Sequence, residues 1–147
     1  MLKSLIRTDT DRSTLIIRCM VGVVFLSEGI QKFLFPEEVG AGRFEKIGFS
    51  NPDDLAALVG VSEIICGTLI LLGLLTRLAS IPLIIIMLAA MSVTKYGIFI
   101  EEGFWKMMHA GRNDLAMLLG SLFLLIKGGG AFSSDRYIYR NTDEREN

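Results

Sequence analysis

The fold class this sequence predicts is an all-α membrane protein, an antiparallel bundle of four transmembrane helices with both termini cytoplasmic. Three observations carry that expectation. Of 147 residues, 51% are hydrophobic and the mean hydropathy is +0.49, although 21% are charged, so the charges must be gathered outside long apolar windows. Those windows are visible: Leu78 to Thr94 carries no charged residue, Leu55 to Leu75 only Glu63, and Thr14 to Phe35 only Arg18, Glu28 and Lys32. Stretches of that length and polarity read as membrane-spanning helices. A soluble four-helix bundle would need a polar face on each helix, and SIPLIIIMLAAM at residues 80–91 offers none.

Taken in order, span one covers about residues 14–35. The basic N-terminus runs into it, but no small-residue cleavage site follows before Glu28 and Lys32, so an uncleaved first span is expected rather than a signal peptide. Span two covers about 55–75, opened by the capping stretch Asn51-Pro52-Asp53-Asp54. Span three covers about 77–95 and span four about 110–128. The apolar core of span four, Leu115 to Ile126, would rise only about 18 Å, so it needs its flanking residues to cross. Between spans one and two, RFEKIGF is a candidate short helix in a loop rich in turn residues. Between spans three and four, YGIFIEEGFWKMMHAG at 96–111 is expected as an interfacial or partly re-entrant loop. Residues 1–135 then form one membrane domain, and 136–147 form a polar tail whose last eight or so residues are expected to be disordered.

Lys and Arg set the orientation. Lys3, Arg7, Arg12, Arg77, Lys127, Arg136, Arg140 and Arg145 fall on the side of the termini, against Arg43, Lys46, Lys95, Lys106 and Arg112 on the other, so the termini are expected in the cytoplasm. The location implied is the inner, cytoplasmic membrane of the cell, crossed several times. A net charge of −1 and the lack of a basic stripe give no reason to expect a nucleic-acid partner. A single histidine in the whole chain leaves no metal-ligand spacing. Cys19 and Cys66 form no C-x-x-C motif; they read as buried free thiols, with a redox pair across two helices as the sharper alternative.

Read by depth, this topology gathers charges from four helices in the outer half of the bundle: Glu28 and Lys32, Glu63, Lys95, and the group His109, Arg112 and Asp114. Ionisable groups are costly at bilayer depth, so they should face the bundle interior and one another. Glu28 and Lys32 are an i, i+4 pair in the favourable order. Glu63 sits in a stripe with Ala56, Gly60 and Gly67, small residues that let helices approach closely. Its expected partner is Lys32, Arg112 or Lys95. Glu28 and Glu63 are the candidate proton-exchanging, catalytic residues, and Lys32, Lys95, His109, Arg112 and Asp114 the candidate ligand-binding ones. Arg18, Gly60 and Gly67 are expected to be structural. The bland alternative is an ion pair that only orients helices.

Several stretches resemble the DoxX family of small four-helix membrane proteins. They are Arg18 followed by Gly22, Phe25, Glu28-Gly29 and Lys32; the run EIICGTLILLGLLTRLA from Glu63 to Ala79; and RNDLAMLLG with the later GGGAFSSD. The resemblance spans about Leu15 to Asp135, with Cys66 standing where the family often shows a second glycine. It implies an oxidoreductase component linked to quinone, thiol or oxidative-stress chemistry. No flavin, haem or iron-sulfur motif is present, so no cofactor is evident in the sequence itself, and a redox role would rest on a bound quinone, the two cysteines or a partner redox protein. The expected function is therefore a membrane oxidoreductase component binding a quinone or quinone-like molecule in an outer-half pocket. The alternatives are a non-catalytic assembly subunit for a partner redox enzyme and, more remotely, a small proton-coupled carrier, which would need a homo-oligomer to alternate access.

Overall fold

A computed structural model describes residues 8–146, and those residues are helical throughout their ordered elements, with no strand. The helices are α1 (Thr14–Leu34), α2 (Ala41–Ile47), α3 (Pro52–Leu72), α4 (Thr76–Glu102), α5 (Phe104–Lys127) and α6 (Ser134–Glu146). Three of them, α1, α3 and α4, are long and apolar enough to cross a membrane by length and composition. The 24-residue α5 packs with them but carries Lys106, His109, Arg112 and Asp114 in its first half.

The long helices pack as two pairs, α1 on α3 and α4 on α5, which are joined where α3 meets α4 and α1 meets α5. Their shared core is Val21 and Phe25, Cys66 and Ile70, Ala79 and Leu83, and Met117 and Leu124, two residues from each helix. Beyond Leu83 no residue of α4 is buried. The pairs thus hold together at the end nearest the α3–α4 turn, and exposed apolar residues such as Ile85, Leu88 and Val93 are what a helix facing hydrocarbon presents.

That joined end is built around Arg18, which is only 2% exposed. Its guanidinium donates to the carbonyl oxygens of Ile70 (2.9 Å) and Leu71 (2.6 Å) at the end of α3. It also donates to those of Gly129 (3.0 Å) and Phe132 (2.5 Å) in the loop after α5. The last carbonyls of a helix have no partner within it, and a planar fork of five donors suits them. Space for the fork comes from Gly73, where an added Cβ would lie 2.6 Å from Arg18 Cζ. Gly73 also takes the left-handed conformation, φ 66°, that ends α3. Two residues later Leu75 is left-handed as well, with φ 49°, a conformation unfavourable for a residue with a side chain. Asp135 holds it there. Its carboxylate accepts from Leu75 N–H (2.7 Å) and Thr76 N–H (3.0 Å) and so caps α4.

Two expectations are corrected. The stretch at 96–111 is not a loop: α4 continues to Glu102, and Gly103 alone, at φ 85°, separates it from α5. Lys95 looked like the end of a span because a lone charge is costly there, but it is paired across to α5 and the helix runs on. The C-terminal tail is not disordered either, because α6 covers Ser134–Glu146, with Asp135 in its first turn. RFEKIGF lies largely within α2, and Asn51 stands at the start of α3, although its side chain makes no capping hydrogen bond.

Candidate functional site

Two glycine contacts decide where the charges of α1 and α3 meet. A Cβ on Gly29 would lie 2.7 Å from the carbonyl oxygen of Gly60, and one on Gly22 would lie 3.0 Å from that of Gly67. The two backbones are therefore in direct contact, as small residues permit. The helices run antiparallel, so Lys32 and Glu63 lie one turn to either side of the Gly29–Gly60 contact, and because helical side chains lean toward the N-terminus of their own helix they meet beside it. There Lys32 Nζ lies 2.7 Å from Glu63 Oε2 and 3.9 Å from Glu28 Oε2. Side-chain exposure falls steeply across the group, from 45% for Glu28 to 10% for Lys32 and 3% for Glu63.

Glu63 Oε2 is buried, and the Lys32 ammonium at 2.7 Å is its partner. A buried charge is tolerated only when paired and hydrogen-bonded, and the Lys32 ammonium supplies that pairing for Glu63. Around this seam the chain folds back: a Cβ on Gly40 would collide with the Lys32 carbonyl oxygen, and α2 packs against α3. Arg43 of α2 lies within electrostatic reach of Glu63.

The other expected site residues form separate contacts on the second helix pair. Lys95 Nζ lies 3.2 Å from Asp114 Oδ2, joining α4 to α5, and Gly111 packs at 3.7 Å or more from the Lys95 stem. Arg112 Nη1 meets the His109 ring nitrogens at 2.7 and 3.0 Å, both residues being exposed. Among the described residues no ion pair joins this set to Glu28, Lys32 and Glu63. Of the three partners expected for Glu63, the structure selects Lys32. Two grooves are present at the opposite end of the molecule, and neither includes these three residues.

Gly60 and Gly67 lie at the α1–α3 contact, and Arg18 donates to four carbonyl oxygens. Asp135 is the residue that sequence reasoning passed over. The signal for it was the polar SSD two residues after three glycines, a combination that suits a cap. The cysteines are both free: Cys66 is buried in the core and Cys19 is exposed, not buried as expected.

Comparison with known proteins fits this arrangement. The chain is 52% identical over 138 residues to an uncharacterized membrane protein of Mycobacterium tuberculosis, covering 90% of this chain and 85% of that protein. It is 26% identical over 127 residues to a Bacillus subtilis protein named "Putative oxidoreductase CatD", covering 86% of this chain and 87% of that one. No solved structure matches it. The DoxX family model matches residues 13–96, which include all of α1, α2 and α3 and most of α4. Since the match includes Glu28, Lys32, Glu63 and the glycines that seat them, and extends over more than half the chain, this protein belongs to the DoxX family.

Proposed function

We propose that the protein is an oxidoreductase component of the cytoplasmic membrane that binds a quinone or quinone-like small molecule beside Glu28, Lys32 and Glu63. In this reading α1, α3, α4 and α5 all span the bilayer, both termini lie in the cytoplasm, and the α1–α3 seam opens toward the outer half. The observation that carries it is the Glu63 carboxylate, 3% exposed at the α1–α3 seam and ion-paired with Lys32 at 2.7 Å. A hydroxyl of a reduced quinone can donate to such a carboxylate. An ionisable pair buried in an apolar helix of a membrane protein favours a functional site.

Two-electron reduction of a quinone takes up two protons, and oxidation of the quinol releases them. Glu63 exchanges a proton with the ligand oxygen, which is the work of a general acid or base within hydrogen-bond reach. Lys32 stabilises Glu63 in its charged form and stands between it and Glu28. Glu28, with 45% of its side chain exposed, connects the group to water. In this reading electrons enter or leave through a partner redox protein. The name of the Bacillus subtilis relative, "Putative oxidoreductase CatD", supports the class of reaction. The test is organic extraction and mass spectrometry of gently solubilised protein. Quinone near one molecule per chain is expected, and its absence from protein expressed in quinone-containing membranes would count against the reading.

A further inference from the structure

Contacts between helices fix the depth of the Lys95–Asp114 pair. An added Cβ on Gly120 of α5 would lie 2.7 Å from the Val21 side chain of α1. Because α1 begins and α5 ends at the Arg18 hub, the two run in opposite directions. Asp114, six residues before Gly120, is therefore level with about residue 27 of α1. By the Gly29–Gly60 contact, Glu63 is level with about residue 26. The two carboxylates differ in depth by about 1.5 Å, one residue's rise. Both α3 and α5 have their N-terminal ends away from the hub, so both side chains lean that way and stay level.

The carboxylates also face one axis. Glu63 stands three residues from Cys66 and Asp114 three from Met117, and residues at that spacing share a helix face. Cys66 and Met117 both belong to the shared core, so the carboxylates stand directly beyond it. Further from the hub than the core, the buried residues of α1, α3, α4 and α5 are Gly29, Ala56, Gly60, Glu63 and Gly111. No large apolar side chain is buried at this level to fill the space between the two helix pairs.

Extending the quinone reading above, and resting on it, we propose that the ligand lies across this space, with one oxygen at the Lys32–Glu63 pair and the other at the Lys95–Asp114 pair. Asp114 is then a second proton-exchanging residue. The two pairs are chemically alike, as the two ends of a quinone are: an ammonium and a carboxylate lie 2.7 Å apart in one and 3.2 Å apart in the other. Lys32 and Lys95 donate to the two carbonyl oxygens of the quinone, and Glu63 and Asp114 accept from the two hydroxyls of the quinol, all charge-assisted bonds. Oxidation of the quinol balances on these residues. Glu63 and Asp114 each gain the proton of one broken O–H bond, and two electrons pass to the partner redox protein. Asp114 has 26% of its side chain exposed against 3% for Glu63, so its end returns the proton to water more directly.

The experiment uses the full chain in detergent and two probes, a short-chain hydroquinone and the phenol of the same ring with one hydroxyl in place of two. Equilibrium dialysis gives the dissociation constants. Asp114→Asn should bind the hydroquinone about 10-fold more weakly than the wild type, the loss of one charge-assisted hydrogen bond, and Glu63→Gln should do the same. The phenol should bind Asp114→Asn nearly as it binds the wild type, because its single hydroxyl takes the Glu63 end. That result also shows the variant to be folded. Asp114→Glu, which keeps the charge, should recover most of the hydroquinone affinity. If Glu63→Gln weakens the hydroquinone and Asp114→Asn does not, or if Asp114→Asn weakens the phenol as much as the hydroquinone, the second end is refuted while the quinone reading stands. If the wild type binds no hydroquinone, or Glu63→Gln leaves its binding unchanged, the quinone reading fails and the second end with it.

Discussion

Arg18→Lys keeps the charge of the hub and removes its shape. In the wild type the guanidinium reaches four carbonyls on two segments, Ile70 and Leu71 on one side and Gly129 and Phe132 on the other. An ammonium is a single point with three donors, so it can serve one segment and must abandon the other. Two charge-assisted hydrogen bonds are lost at about 1.5–3 kcal/mol each, or about 3–6 kcal/mol in all. For a chain of this size that corresponds to a fall in Tm of about 10–20 °C. Thermal unfolding of the detergent-solubilised protein, followed by tryptophan fluorescence or circular dichroism, measures it, with exposed Arg112→Lys as a control that should shift by only a few degrees. If Arg18→Lys unfolds within about 3 °C of the wild type, a shift of only about 1 kcal/mol, Arg18 does not tie the bundle end together as argued.

Gly29→Ala puts a Cβ 2.7 Å from Gly60 O and 2.9 Å from Ile64 N, so α1 and α3 must separate, at about 1–3 kcal/mol by thermal unfolding. Gly97→Ala, where nothing lies within 4 Å, should instead be neutral or stabilising by about 0.5–1 kcal/mol. Lys32→Met alone should cost about 3–5 kcal/mol because it strands the buried Glu63 charge, while K32M/E63Q together should cost clearly less than the sum of the two single changes. A strictly additive double-mutant cycle would show that the two do not interact. At the surface, the Lys127 hydrogen bond at 2.7 Å, helped by the Thr10 N–H, holds the Asp9 carboxyl below its ordinary 3.8. A lowered carboxyl contributes stability above its unfolded value and loses it as pH falls through the folded one. The Asp9 tether to the end of α5 should therefore persist at neutral pH and release only below about pH 3.8, and Lys127→Met should move the Asp9 carbon-13 titration upward.

Long apolar windows made the helices legible in the sequence, because a span must satisfy its backbone internally and cover the bilayer thickness. The same logic misplaced the end of α4. A charge at Lys95 reads locally as a boundary, and only the fold shows Asp114 of α5 waiting 3.2 Å away. The α1–α3 seam was readable from the small-residue stripe of Ala56, Gly60 and Gly67, and Lys32 was among the partners expected for Glu63. Choosing among Lys32, Arg112 and Lys95 required knowing which helices pair, and that depends on contacts between residues far apart in the chain. Arg18 shows the same limit. One basic residue early in a span looks like a boundary marker, whereas its carbonyl partners lie 52 to 114 residues away. Asp135 capping α4 from a distance of 59 residues is equally invisible to local reading.

Infrared difference spectroscopy on the quinone-loaded protein, comparing oxidised and chemically reduced ligand, tests the central claim most directly. A carboxyl stretch that appears or vanishes with ligand redox state, shifts in heavy water, is abolished by Glu63→Gln and survives exposed Glu45→Gln is the predicted result. A difference spectrum in which Glu63→Gln leaves every carboxyl band in place would contradict it, and would return the Lys32–Glu63 pair to the role of holding two helices together.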